Sequence, residues 1–227
     1  MNPRTLALPQ GSPLREFLTP RWLFTTLLVL LAAMAMVRLG LWQLDRLEQR
    51  RARNALIQKA MALPPLNLNQ ADLPDWSTAT YRDAVVTGKY DISGEVLLRN
   101  QVWENQPGFH LLTPLLIEGH TRAIWVDRGW IPLEDGDPLK RAKYVEEGTI
   151  TVQGRLMPSQ QTRSLGGAVD APQGRLDAWN WIDLPRLGQQ ISVPIIPLYL
   201  LAAPLTPQSL PARSLPEPDL SEGPHMG

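Results

Sequence analysis

The chain has 227 residues with 22 Lys or Arg set against 22 Asp or Glu, so it carries no net charge and offers no broad basic face for a phosphate backbone, which argues against nucleic acid as a partner. It contains no cysteine, which excludes thiol catalysis, thiolate metal sites and c-type haem attachment, and His110, His120 and His225 follow no zinc or copper spacing. The length suits one membrane anchor plus one domain of ordinary size.

Residues 1–21 mix Pro3, Pro9, Pro13 and Pro20 with Arg4, Arg15 and Arg21 and read as a flexible tail. Residues 22–37 are sixteen residues without a charge; Arg38 then interrupts and LGLWQL resumes the apolar pattern. Sixteen is short for a span, but Trp22 and Trp42 lie 20 positions apart. On a helix that is roughly 30 Å, a bilayer core with an aromatic residue at each interface. Leu39, Trp42, Leu47 and Leu56 fall near one side with charges around the rest, so residues 22–62 are expected as a transmembrane helix with a juxtamembrane extension, ended by Pro64-Pro65. Ala33-Met34-Ala35 resembles a signal-peptide cleavage site, yet the helical pattern runs on past it, so the anchor is expected to stay attached. Arg46, Arg50, Arg51 and Arg53 follow the apolar run whereas only Arg15 and Arg21 closely precede it, and by the positive-inside rule this count would place the domain in the cytoplasm.

Residues 63–80 read as a Pro-, Asn- and Asp-rich linker. Over 81–203 the pattern turns to period two in YRDAVVTGKY, GEVLLRNQ, GFHLLTPLLIE, TRAIWVDRGWI and GTITVQGRLM, punctuated by turn signals at Asp-Ile-Ser-Gly, Gln-Pro-Gly, Glu-Gly-His and Glu-Glu-Gly. This predicts a mainly β fold, an antiparallel barrel or sandwich domain anchored by the N-terminal transmembrane helix. AWNWIDL and PIIPLYLLA add two strands around a short helix in LPRLGQQ, and SLGGAVDAPQGR is expected as a mobile loop. From residue 204 to 227 six prolines predict an extended tail.

Trp42, Gln43 and Arg46 stand together at the expected membrane edge, where the arginine meets lipid phosphate and the indole anchors the helix. Arg128-Gly129-Trp130 lies in a strand, where Gly129 lets the chain curl and Trp130 fills the core; Pro107-Gly108 reads as a turn, and Glu134-Asp135-Gly136-Asp137 as turn chemistry rather than a cation site. No nucleophile–base pairing, phosphate loop or metal-ligand spacing is present, so no enzyme is expected.

Taken in order, LGLWQLDRLEQR (39–50), YRDAVVTGKYD with VLLRNQVWENQPGFHLLTPL (81–115), WVDRGWIPLE (125–134), WNWIDLPRL, PIIPLYLLA and LPEPDLSEGPH resemble the Surfeit locus protein 1 family, membrane assembly factors of cytochrome c oxidase. The resemblance covers about residues 21–225 and implies a β domain on the periplasmic side of the inner membrane, against the charge count. It also implies a second membrane helix after His225, where this chain stops at Met226-Gly227. By the same resemblance the function is assembly of a haem-copper terminal oxidase, assisting haem a insertion into its catalytic subunit. His225 would be the axial ligand of the haem iron, with Arg46 meeting a haem propionate or a carboxylate of the subunit, beside Trp42. The expected partners are that catalytic subunit and membrane lipid. The alternatives are a haem-independent protein-interaction module that stabilises a subunit intermediate and, if the anchor is cleaved, a secreted oligosaccharide-binding barrel. Copper delivery would need soft ligands that a chain without Cys lacks.

Overall fold

A computed structural model describes residues 20–70, 75–160, 170–171, 174–204 and 209–221. Helix α1 runs unbroken over Pro20–Met61. Leu23, Phe24, Leu27, Leu30 and Leu31 are all more than half exposed, an apolar surface that water disfavours and lipid accepts. Thr25 and Thr26 donate their hydroxyls to the carbonyls of Arg21 and Trp22 at 2.9 and 2.8 Å, which satisfies the polar side chains within the helix itself. By length and composition α1 is a candidate membrane anchor, in the place the apolar run predicted. Its last two turns belong to the second compact unit, Asn54–Leu220, where Ile57 is buried.

Strands β1 (Leu66–Asn67), β2 (Asp83–Tyr90), β3 (Val96–Trp103), β4 (Gln106–Ile117), β5 (Ala123–Pro132), β6 (Ile150–Pro158), β7 (Ala178–Trp179) and β8 (Ile195–Ala202) form one sheet in the order β1-β2-β6-β8-β5-β4-β3-β7. An added pairing of β2 with β4, Gly88 opposite Ile117, closes five of them into a barrel, β2-β6-β8-β5-β4. β4 achieves this by dividing one edge, pairing Gln106 to Leu112 with β3 and Leu115 to Ile117 with β2. Around the barrel β2, β4 and β5 lie side by side, with β3 between β2 and β4 in the chain but outside the closed ring, and β6 returns beside β2. β8 then fills the gap between β6 and β5, antiparallel to the first and parallel to the second, so the sheet is not antiparallel throughout.

The period-two residues sort onto two faces. Val86, Leu115, Ile117, Ile124, Val126, Val152, Leu156, Ile196, Leu198 and Leu200 fill the barrel, and Leu68 and Ala79, from the stretch expected as a linker, are buried with them. On the outer face Val96, Leu98, Leu112, Trp125 and Tyr199 pack beneath Trp179, Ile182, Leu184 and Leu187. Trp179 lies in β7, Ile182 in the loop after it, and Leu184 and Leu187 in helix α3 (Leu184–Leu187). β5 is therefore covered on both sides, and its residues from Ala123 to Ile131 are all buried.

The β3–β4 hairpin turns at Glu104 and Asn105, whose φ values of 48° and 63° suit a two-residue primed turn. Pro107-Gly108, expected as that turn, lies inside β4. The glycine is needed there because a Cβ on Gly108 would come 2.4 Å from the Trp130 indole nitrogen. In the acidic loop Asp137 caps helix α2 (Pro138–Arg141) by accepting from the Leu139 N–H at 2.8 Å, as turn chemistry predicts, whereas buried Asp135 accepts from the side chains of Lys143 and Tyr144.

Candidate functional site

Trp42 and Arg46 are one helical turn apart on α1, which brings the Arg46 guanidinium carbon to 5.6 Å from the Trp42 ring centroid. Both side chains are exposed, so the pair presents an indole face and a cation together. Gln49 donates to Asp45 at 3.1 Å on the same turn. His225 lies outside the described residues.

A second cluster sits in the barrel wall. Since both faces of β5 are covered, the Arg128 guanidinium cannot reach water and must be satisfied internally. The Arg128 side chain donates to Glu95 at 3.0 Å, to Glu146 at 3.0 Å and to the Tyr144 carbonyl, and its guanidinium carbon lies 4.5 Å from the Tyr90 ring centroid. Glu95 also accepts from the Thr113 hydroxyl at 2.7 Å and from Arg141 at 3.5 Å. Glu146 is shared with Arg213 at 3.3 Å, and Arg213 Nε donates to the Arg128 carbonyl at 2.8 Å.

Burial pushes the Tyr90 hydroxyl from 10.0 up to about 12, against the pull of Arg128 and Arg213, and burial also raises Tyr199. Tyr144 is raised by burial and then by the hydrogen bond it gives Asp135. A raised folded-state pKa means the fold favours the neutral phenol, a contribution complete below the unfolded value of 10.0 and lost as pH rises through about 12. The denaturation midpoint of the full chain should therefore fall between those two pH values, and Tyr90→Phe should shallow that fall. An equal slope in the variant would contradict the burial of this hydroxyl.

His110 on β4 and Asp127 on β5 form the third feature. Nδ1 lies 2.9 and 3.0 Å from the two carboxylate oxygens of Asp127, and Asp127 Oδ1 also accepts from the Gly129 N–H at 3.0 Å. A carboxylate only accepts, so Nδ1 carries the proton and donates it to Asp127, which orients the ring. The register shift between His110 and Leu112 makes room for this pair.

Residues 209–213 cross beside it as a strap. Trp130 and Ala212 exchange backbone hydrogen bonds at 2.8 Å each, and Gly129, at φ +112°, would put a Cβ 2.4 Å from the Ala212 carbonyl oxygen. Further along, the Pro216 carbonyl accepts from Arg155 at 3.5 Å, itself paired with Asp83 at 3.0 Å, and the Leu220 carbonyl accepts from Asn54 at 2.7 Å. The extended tail is thus fastened from β5 to the end of α1.

Arg128, His110 and Asp127 were not singled out as site residues from sequence. One signal was present: Asp127-Arg128 interrupts an otherwise continuous apolar strand, and charges placed there need buried partners.

The SURF1 family model matches residues 30–227. A SURF1-like protein of Rickettsia felis is 28% identical over 181 residues, covering 78% of this chain and 75% of that protein. A SURF1-like protein of Mycobacterium bovis is 27% identical over 150 residues, covering 63% and 54%. The cytochrome oxidase assembly protein SHY1 of Saccharomyces cerevisiae is 26% identical over 146 residues, covering 61% and 37%. Since the family match takes in Trp42 and Arg46 on α1, all eight strands, the Arg128 cluster and the strap that closes over it, the chain belongs to the SURF1 family.

Proposed function

We propose that this protein is a membrane-anchored assembly factor for a haem-copper terminal oxidase, acting on the catalytic subunit from the periplasmic side of the inner membrane and handing it haem a. The observation that carries the reading is family membership over residues 30–227, with a yeast relative that bears the name of a cytochrome oxidase assembly protein. The apolar surface of α1 supports the membrane location. For the side of the membrane the family resemblance outweighs the arginines after the span, because a long translocated domain is only loosely governed by nearby charges.

Haem a is the cargo on this reading. Its propionates suit a guanidinium such as Arg46, its ring face suits an indole such as Trp42, and His225 supplies an imidazole for the iron. Handing over demands moderate affinity, since too stable a complex would never release its cargo. A haem-independent module that stabilises a subunit intermediate is the second reading, favoured by leucines that stand out in solvent at 56% (Leu133) and 87% (Leu139) exposure.

Wild type and His225→Ala, each copurified with the oxidase catalytic subunit from cells that make haem a, separate the two. The wild type should carry the absorption bands of haem a and the variant should lose most of them, because alanine cannot replace a directional iron–nitrogen bond. Identical haem content and spectra in the two would discard the ligand assignment and leave the interaction module.

A further inference from the structure

Between the β5–β6 connection and the segments that precede β3 and β7 lies an open cleft of about 570 Å³, within the range of ligand sites. Leu97, Pro138, Ala142 and Val145 give it apolar walls, while Glu95, Arg141, Arg175 and Asp177 bring charge to it. By simple count these four charges cancel. The partners behind the wall change the balance.

Glu95 is already bound by the fully buried Arg128 and by Thr113, so it is not free to neutralise the cleft. In the cluster as a whole, the three cations Arg128, Arg141 and Arg213 share the two carboxylates Glu95 and Glu146, which leaves one positive charge in surplus. The surplus falls on Arg141. Its tie to Glu95 is the longest in the cluster at 3.5 Å and it pairs with no other carboxylate among the described residues, whereas Arg128 holds both Glu95 and Glu146 at 3.0 Å; the Nε atoms of both arginines lack a hydrogen-bond partner among those residues. Arg175, also at the cleft, donates to the Ser93 carbonyl at 2.5 Å, which leaves its charge unneutralised, and holds the carboxylate of Asp177 at 3.7 Å; that carboxylate is 83% exposed, so water screens the pair strongly. Two guanidiniums therefore flank an apolar cleft.

The β5–β6 connection also carries two exposed leucines. Neither lines the cleft itself, but Leu139, next to Pro138 and two residues before Arg141, and Leu133 lie on the connection that forms one of its walls, and both stand in solvent. A small molecule inside the cleft would leave them wet, whereas a length of polypeptide that leaves the cleft along this connection would cover them. We propose that this cleft docks an extended segment of a partner protein that carries apolar side chains around an Asp or Glu, the carboxylate meeting Arg141 and Arg175. The inference goes beyond the reading above, since it requires a protein partner but no haem.

A photoreactive amino acid in place of Leu139, in the full chain irradiated in native membranes, tests it. The cross-linked peptide, sequenced by mass spectrometry, should hold an acidic residue among apolar ones. Arg141→Gln should cut the yield about tenfold, the effect of one lost charge-assisted pair. Should Arg141→Gln abolish the unfolding transition, Arg175→Gln decides in its place, because that side chain is 54% exposed and its loss leaves the core intact. Equal yields in the folded variants, or a cross-linked segment without a carboxylate, would overturn the proposal. So would the absence of any protein cross-link, including the case in which dodecanoate gives saturable chemical-shift changes and marks the cleft as a small-amphiphile site.

Discussion

Replacing Arg128 with methionine should destabilise the barrel by about 3–5 kcal/mol, read as a lower midpoint in denaturation of the detergent-solubilised chain. The size follows from what the change leaves behind rather than from what it removes. Glu95, 8% exposed at its side chain, would keep only a threonine hydroxyl and an arginine at 3.5 Å as its partners in a largely desolvated position. Glu146, at 36% exposure, can turn to solvent and costs little. The double variant Arg128→Met with Glu95→Gln should therefore recover part of the loss, since a neutral amide tolerates the site better than an unpaired carboxylate. A single-variant loss under about 1 kcal/mol would mean that the cluster does not hold the wall together.

Gly129→Ala should be nearly as damaging, by a different route. At φ +112° an L side chain is strained, which costs about 1–2 kcal/mol, and the new methyl group would meet the Ala212 carbonyl oxygen at 2.4 Å and Arg213 Cγ at 2.9 Å. The strap has to withdraw. That breaks both Trp130–Ala212 backbone bonds and the bond from Arg213 to the Arg128 carbonyl, each worth about 1 kcal/mol. Arg213 is 7% exposed at its side chain while the strap is seated, so the variant should become open to trypsin at this residue well before the barrel is cut. Equal cleavage rates at Arg213 in wild type and variant would show that the strap does not depend on this glycine.

Much of the fold could be read directly. The uncharged run and its flanking tryptophans marked α1, and alternating Val, Ile and Leu bounded by turn residues marked five of the strands and β8. Closure of the barrel could not be read, because it depends on β4 giving one part of an edge to β3 and another to β2, a matter of register between segments far apart in the chain. Leu68 and Ala79 were hidden for a similar reason: a Pro- and Asn-rich stretch reads as linker even when two of its side chains sit in the barrel core. Arg128 was legible as an oddity but not as a cluster, since Glu95 lies 33 residues before it and Glu146 lies 18 after. The hairpin turn was misplaced onto Pro107-Gly108 because Pro-Gly is strong turn chemistry, while in the structure the glycine serves the packing of Trp130.

The central claim is the oxidase role, and the most direct measurement is terminal oxidase activity, with haem a content of the isolated catalytic subunit, in cells that lack this protein. Both should fall, and both should return when the full chain is supplied again. Oxidase activity and haem a content that stay at the wild-type level without the protein would contradict the account.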